Sequence, residues 1–297
     1  MKILITGGKG MLGRTLQRRF AEHTLFVADL PETDITQLGP LTETFKQFAP
    51  DVVIHCAAMT RVDDCETQDE QAFRLNGMAS ANVALATKAC GARLIAISTD
   101  YVFSGFRPGE HPPFCPSDDE GYLETDRPLP ATVYGKSKLS GENCIRDILP
   151  AATIVRIAWL YGAGGPSFVH TMARLGAQEG EPLKVVDDQV GNPTSTDAVA
   201  DALAFLIDHP EITGVVHGTC RGICSWYDLT VELFRLLGCT RRVVPCTTEE
   251  FPRPAPRPAF SALAKGVLGR SGYEMSDWKD ALAKFVRSEF GKKKENR

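Results

Sequence analysis

Residues 131–142 read ATVYGKSKLSGE and place Tyr134 one helical turn before Lys138. Positions i and i+4 share a helix face. An ammonium beside a phenol favours the phenolate and lowers a pKa that starts at about 10, which suits the pair to proton transfer near neutrality. Of the six tyrosines only Tyr134 has lysine four positions on, while Lys136 falls on another side of the helix and is expected in solvent. Chance gives such a pair in about a third of chains with this many tyrosines and ordinary lysine usage, so its meaning depends on context. Part of that context is AISTDYVFSG, residues 96–105, where Ser98 and Thr99 close an apolar run and Asp100 and Val102 follow. A hydroxyl at the C-terminal end of a parallel strand can hold a substrate carbonyl beside a phenol, and a plain strand-end turn explains the same residues equally well.

A second chemistry is written in ITGGKGMLG, which spaces Gly7, Gly10 and Gly13 as G-x-x-G-x-x-G and leads through Met11 and Leu12 into a helical pattern. Glycines there permit a tight turn, close backbone approach to a pyrophosphate and close helix–strand packing. The free N–H groups of the helix start attract the phosphates. Asp29 ends the second apolar run 16 residues beyond Gly13. A carboxylate at that place takes ribose hydroxyls and favours NAD, whereas Arg14 near the turn could meet a 2′-phosphate. Asp34 and Ile35 could flank the adenine, so the cofactor is NADPH or NADH.

These groups need a frame. KILIT (2–6), TLFVADL (24–30), DVVIHCAA (51–58) and ARLIAIST (92–99) read as strands alternating with helical patterns, among them 34–50, capped by Asp34 or Thr36, and an Ala-rich helix over 69–91. Such alternation means a parallel sheet covered by helices, and continuous apolarity means strands buried on both faces. TIVRIAWLYG (153–162) and GVVHGTC (214–220) read as further strands, with helices near 167–179, 196–209, 226–237 and 277–290. The fold class is therefore α/β: a Rossmann-type doubly wound parallel sheet with a smaller, interleaved C-terminal substrate domain. Residues 1–155 plus about 192–222 are assigned to the dinucleotide-binding domain, and about 156–191 plus 223–297 to the substrate-binding domain. The Pro-, Gly- and acid-rich segment 104–130 reads as a long loop, either a lid over the site or a surface insertion.

Composition removes other classes. A net charge of −4 argues against nucleic acid as partner. No apolar run approaches the ~20 residues of a membrane span, and the apolar N-terminus is too short for a signal sequence. Nine scattered cysteines suit a reducing compartment, so the expected location is cytoplasmic. Cys220, Cys224 and His217 lack a second ligand pair, so no metal is expected. The basic tail GKKKENR reads as a solvated terminus. Any self-assembly is expected to be a homodimer.

The glycine turn, CAA after the third strand, STD after the fourth and Y-x-x-x-K together resemble the extended short-chain dehydrogenase/reductase family. STDYVFSG, YGKSKLSGE, RIAWLYG, DDQVGNPT and PRPAFSAL narrow the resemblance to its dTDP-4-dehydrorhamnose reductase branch, and it spans the chain from the glycine turn to the segment around Arg257. The resemblance implies NAD(P)H-dependent reduction of the C4 ketone of a nucleotide-linked sugar, dTDP-4-dehydro-L-rhamnose, to dTDP-L-rhamnose. By it Tyr134 protonates the C4 oxygen, Lys138 holds the nicotinamide ribose and tunes the phenol, and Thr99 bonds the carbonyl. Ala57, Ala58 and Thr60 line the cofactor's path. Trp159 packs on the sugar, and Asp100, Val102, Gln189, Pro193, Thr194 and Arg257 contact the substrate or shape its pocket. The chain departs from the pattern in its long 104–130 loop and in PATV before Tyr134, both of which bear on the sugar more than on the chemistry. A 4,6-dehydratase of this scaffold needs Asp-Glu after the threonine, and here Tyr101 follows Asp100. A 4-epimerase, another nucleotide-sugar 4-ketoreductase, or a non-catalytic subunit like the β subunit of methionine adenosyltransferase are the alternatives.

Overall fold

The computed structural model describes residues 1–107 and 121–291; the tail after 291 and the centre of the 104–130 segment, read as either a lid or a surface insertion, lie outside the described residues. The chain begins β1 (Lys2–Thr6), α1 (Met11–Arg19), β2 (Thr24–Ala28), α2 (Leu38–Phe48), β3 (Val52–His55), α3 (Val62–Thr67), α4 (Asp69–Ala72), α5 (Ala79–Ala89) and β4 (Arg93–Thr99). It continues α6 (Val133–Ile148), β5 (Thr153–Ile157), β6 (Leu160–Tyr161), α7 (Phe168–Gly176), β7 (Leu183–Val186), β8 (Val190–Gly191), β9 (Thr194–Ser195), α8 (Thr196–Asp208) and β10 (Gly214–His217). It ends β11 (Cys224–Ser225), α9 (Trp226–Leu237), β12 (Val243–Cys246), α10 (Gly266–Arg270) and α11 (Trp278–Phe290). None of the described helices is long and apolar enough to cross a membrane.

Six strands form one parallel sheet in the order β10-β5-β4-β3-β1-β2. Successive side chains of a strand point to opposite faces. Ile3 and Ile5 therefore join one core with Leu12 and Leu16 of α1 and Val199 and Leu203 of α8, while Leu4 joins the other with Leu41 of α2, Val83 of α5 and Ile145 of α6. The order reverses between β1 and β3, and a crevice opens there at the strands' carboxyl ends. Beyond β5 three two-stranded ribbons, β6-β9, β7-β12 and β8-β11, gather α7, α9 and α11 on the far side of the same core.

Three expectations need correction. The strand expected over 153–162 stops at Ile157: Trp159 takes a left-handed φ of 45°, and the chain leaves the sheet to pair Leu160–Tyr161 with Thr194–Ser195. α2 is not capped by Asp34 or Thr36; its N-cap is Gln37, and Asp34 Oδ1 accepts from Thr36 N and Thr36 Oγ1 in a turn ahead of the helix. The helix expected over 69–91 is interrupted by a π-helical stretch, Phe73–Met78, where Asn76 turns inward.

Candidate functional site

At the crevice, Gly7 has φ +67°, and a Cβ on it would lie 2.6 Å from Ala57 N, just past the end of β3. A Cβ on Gly13 would lie 2.5 Å from Gly7 O, so the turn and α1 touch backbone to backbone. Gly10 caps α1 with no side chain, and the first turn carries no acidic residue. Free N–H groups and an uncompensated positive helix end are what a pyrophosphate needs, so the turn fits a dinucleotide. A cleft of about 650 Å³ runs from this turn along the sheet edge. Its walls include Gly7, Gly10, Met11, Leu12, Gly13, Asp29, Asp34, Ile35, Ala57, Ala58 and Thr60 at one end and Thr99, Asp100, Tyr134, Lys138 and Trp159 at the other.

At the far end of β2, Asp29 Oδ2 accepts from Lys9 N at 2.8 Å and Oδ1 from Leu30 N at 2.8 Å, so the carboxylate is held on the glycine turn. Lys9 Nζ is paired with Glu32, and Arg14 Nε donates to Lys9 O at 2.9 Å. Hydrogen bonds from Thr36 hold the Asp34 carboxyl below its ordinary range.

The other end is built on α6. Thr132 Oγ1 caps the helix by accepting from Gly135 N, and Asn76 binds the helix from the side, donating to Ser137 Oγ at 3.0 Å and to Met59 O at 3.1 Å. Tyr134 is thereby held at 8% exposure, its ring edge-on to Tyr101 at 5.5 Å between centroids. The expected lowering of its pKa by Lys138 does not occur in this geometry. Burial raises the Tyr134 phenol, with the Thr99 hydroxyl working the other way. Lys138 turns its ammonium to Ile97 O at 2.8 Å, and burial pushes it down to about 8. Thr99 Oγ1 donates to Asp100 Oδ1 at 2.9 Å, so the donation expected toward a substrate carbonyl competes with this bond. Burial pushes the Asp100 carboxyl up to about 6. Lys136 is exposed.

A second cleft of about 420 Å³ shares Tyr101 and Trp159 with the first. Trp159 stacks face to face on Trp226 at 3.5 Å and 6°, and Phe168 leans on Trp226 at 4.4 Å. Gln189 accepts from Trp226 Nε1 at 3.1 Å and donates to Thr248 Oγ1 at 2.9 Å. Three cations, Lys184, Arg253 and Arg257, stand at its walls. Arg257 bonds Asp63 Oδ1 at 2.8 Å, joining the Pro-rich segment to α3.

Of the residues expected at the site, Val102, Pro193 and Thr194 line neither cleft. Val102 is fully buried in a small core with Phe103, Tyr122 and Phe260, because the turn after Asp100 points it inward. Pro193 is buried, and Thr194 spends its hydroxyl on Asn192 O and Cys220 N to shape the ribbon. Sequence reasoning missed Trp226, Phe168, Lys184, Arg253, Asp63 and Asn76. An aromatic pair at the start of an expected helix, SWYD at 225–228, was the one signal pointing to Trp226. Among the described residues no His/Cys/Asp/Glu group could hold a metal ion; His217 Nδ1 is bonded to Ala264 O.

Residues 1–290 match the family described as the RmlD substrate binding domain. The dTDP-4-dehydrorhamnose reductase of Streptomyces griseus is 40% identical over 288 residues, covering 94% of this chain and 91% of its own. A probable dTDP-4,6-dihydroxy-2-methyloxan-3-one 4-ketoreductase of Streptomyces antibioticus is also 40% identical, covering 95% of this chain and 93% of its own. The crystal structure of dTDP-4-dehydrorhamnose reductase from Bacillus anthracis in complex with NADP superposes with a TM-score of 0.90 at 35% identity, covering 97% of this chain and 99% of that one.

Proposed function

The chain belongs to the RmlD substrate binding domain family, and from that premise we propose that it reduces the C4 ketone of dTDP-4-dehydro-L-rhamnose to dTDP-L-rhamnose with NADPH or NADH. The observation that carries the reading is the convergence of Tyr134, Lys138 and Thr99 in the cleft that starts at the glycine turn, beside the aromatic wall of Trp159 that opens into the second cleft. In this reading residues 1–155 with about 192–222 hold the cofactor, and 156–191 with 223–297 hold the sugar nucleotide.

The reduced nicotinamide, when bound, supplies the hydride that C4 receives. The glycine turn and the α1 N-terminus hold the pyrophosphate, Asp29 faces the adenosine ribose, and Lys138 holds the nicotinamide ribose. Tyr134 O–H breaks as a new O–H bond forms on the C4 oxygen. The phenol is buried, so it carries its proton at neutral pH and has one to give. The charge left on the phenolate oxygen would be met by the Thr99 hydroxyl and by the Lys138 ammonium once it turns from Ile97 O, and solvent returns the proton. Trp159 offers a flat apolar face to the sugar ring, and the cations of the second cleft suit a diphosphate. The protein acts in the cytoplasm, and light scattering tests whether it pairs as a homodimer.

A second reading, reduction of another dTDP-linked 4-keto sugar, is favoured by the Streptomyces antibioticus ketoreductase, which matches at the same identity as the Streptomyces griseus enzyme. One assay addresses both. Purified protein, the keto-sugar nucleotide and either reduced cofactor are mixed, absorbance loss is followed and the product sugar identified. Stoichiometric cofactor consumption separates a reductase from a 4-epimerase, and no consumption at all rejects the reading. Tyr134→Phe is expected to bind cofactor normally by fluorescence titration and to lose about 100-fold or more in kcat; a wild-type rate removes Tyr134 as the proton donor.

A further inference from the structure

Glu142 follows Lys138 by one turn on the same face of α6, and no step above uses it. Its side chain is 2% exposed and fully bonded. Oε1 accepts from Ser98 Oγ at 2.5 Å and from Arg156 Nε at 2.9 Å, and Oε2 accepts from Arg156 Nη2 at 2.7 Å. Ser98 adjoins Ile97, whose carbonyl accepts the Lys138 ammonium at 2.8 Å. The end of β4 therefore holds Lys138 through a carbonyl and Glu142 through the next residue's hydroxyl. Arg156 stands opposite Ser98 in the β4–β5 register, and its guanidinium lies 5.0 Å from the Phe103 ring, so the fork that grips Glu142 is itself held in place. A buried ion pair of this kind gives little stability over apolar residues of the same size, because desolvation offsets the attraction. Its place one turn from Lys138 suggests a task in the reaction.

We propose that Glu142 is a positioning residue for Lys138: gripped by Arg156 and Ser98, it holds the β4 carbonyl that the ammonium bonds and supplies the buried negative charge that keeps Lys138 cationic while Tyr134 gives up its proton. The inference rests on the reductase reading above. The titratable groups that act on Lys138 are Glu142 from its own helix and His55 and Cys56 from β3 and its end, with Arg156 of β5 bonded to Glu142. Burial pushes His55 down to about 3 and Cys56 up to about 12, so both stay neutral from about pH 5 to 10. Burial lowers Lys138 and Glu142 works against it. The Tyr134 phenol lies above its ordinary range, so a loss of kcat on the alkaline side belongs to Lys138.

The test is the pH profile of kcat for keto-sugar reduction at saturating reduced cofactor. Glu142→Gln keeps the side chain's size and removes its charge. The alkaline limb is expected to move toward acid by about one pH unit, and kcat at pH 8 to fall about fivefold with a smaller change in KM. A role in folding alone would lower kcat evenly and leave the limb in place. Ser98→Ala leaves the Glu142–Arg156 pair intact and cuts only its link to β4, so it serves where an unpaired Arg156 unfolds the first variant. It is expected to move the limb in the same direction by a smaller amount, with kcat down about threefold. Wild-type limbs in a folded Glu142→Gln, or in Ser98→Ala where the first variant does not fold, overturn the role of Glu142. A wild-type protein that reduces no keto-sugar overturns the reductase reading instead.

Discussion

Thr99 has one hydroxyl proton and three neighbours that can bond its hydroxyl, Asp100, Tyr101 and Tyr134. The proton goes to Asp100 Oδ1 at 2.9 Å, and the oxygen accepts from Tyr101 N at 3.3 Å. The same hydroxyl works against the upward push of burial on the Tyr134 phenol. The Asp100 carboxyl is 3% exposed, and the Ser261 and Thr99 hydroxyls, in that order, work against the upward push of its burial. Removing the hydroxyl therefore has two separable effects. Thr99→Val is expected to lose at least about tenfold in kcat, because the phenol becomes a weaker acid with no hydroxyl beside it. It is also expected to lose about 1 kcal/mol of stability, because Asp100 Oδ1 loses the Thr99 hydroxyl and the buried carboxyl keeps Ser261 and backbone N–H groups as polar neighbours. Thr99→Ser keeps the oxygen and should stay within a few-fold of wild type in kcat and close to it in urea midpoint. A valine variant equal to the serine variant in both measurements shows that the hydroxyl does neither job.

Helix starts aim several of these side chains. α9 begins with a reciprocal cap: Ser225 Oγ accepts from Asp228 N and Asp228 Oδ2 accepts from Ser225 N, each at 3.0 Å, while Ser225 Oγ donates to Asp187 Oδ1 at 2.6 Å. Trp226, the first helical residue, is thereby set against Trp159 and Gln189. Ser225→Ala is expected to cost about 1 kcal/mol in stability. Trp226→Ala should raise KM for the nucleotide sugar about tenfold, from a lost stacking partner, with a smaller change in kcat; an unchanged KM would remove α9 from the substrate cleft. The sequence shows why this wall was hard to foresee. The first cleft is written in local units, a glycine turn after Lys2–Thr6 and hydroxyls at the end of Arg93–Thr99, and strand–helix alternation places such units at one sheet edge. The second cleft draws Asp63, Lys184, Trp226 and Arg253 from segments far apart in sequence, and no period or spacing links them. Within DDQVGNPT, Gln189 reaches the cleft while Pro193 and Thr194 are buried, and that division depends on how the 190–195 ribbons cross Trp159. Likewise nothing in the Ala-rich pattern of 69–91 foretold the π-helical turn that brings Asn76 to α6.

Across the whole molecule, burial has set protons against the ordinary order of titration, and this makes stability depend on pH in a definite way. His55 and His217 are each pushed down to about 3 by burial. The unfolded chain binds a proton at each below about pH 6.5, and the folded chain does not, so this contribution is full above about 6.5 and is lost as pH falls toward 3. Asp100 runs the other way. Burial raises it to about 6, so between about pH 6 and 4 the folded chain keeps a proton that the unfolded chain releases, and acid favours folding through this group. The carboxyls held low by hydrogen bonds, Asp34 and Glu32, Glu211 and Glu250 among them, add to the loss below about pH 5. From about pH 6 to 5 two protons taken up on unfolding are therefore opposed by one released, and stability should fall by about 1.4 kcal/mol per pH unit. Asp100→Asn removes the opposing group, and its slope in the same window should be about 2.7 kcal/mol per pH unit. Urea midpoints at pH 6.0, 5.5 and 5.0 measure both slopes. Parallel lines for the two proteins would mean that Asp100 is already ionised in the folded chain at pH 5, and the Thr99 hydroxyl would then donate to a carboxylate throughout that window.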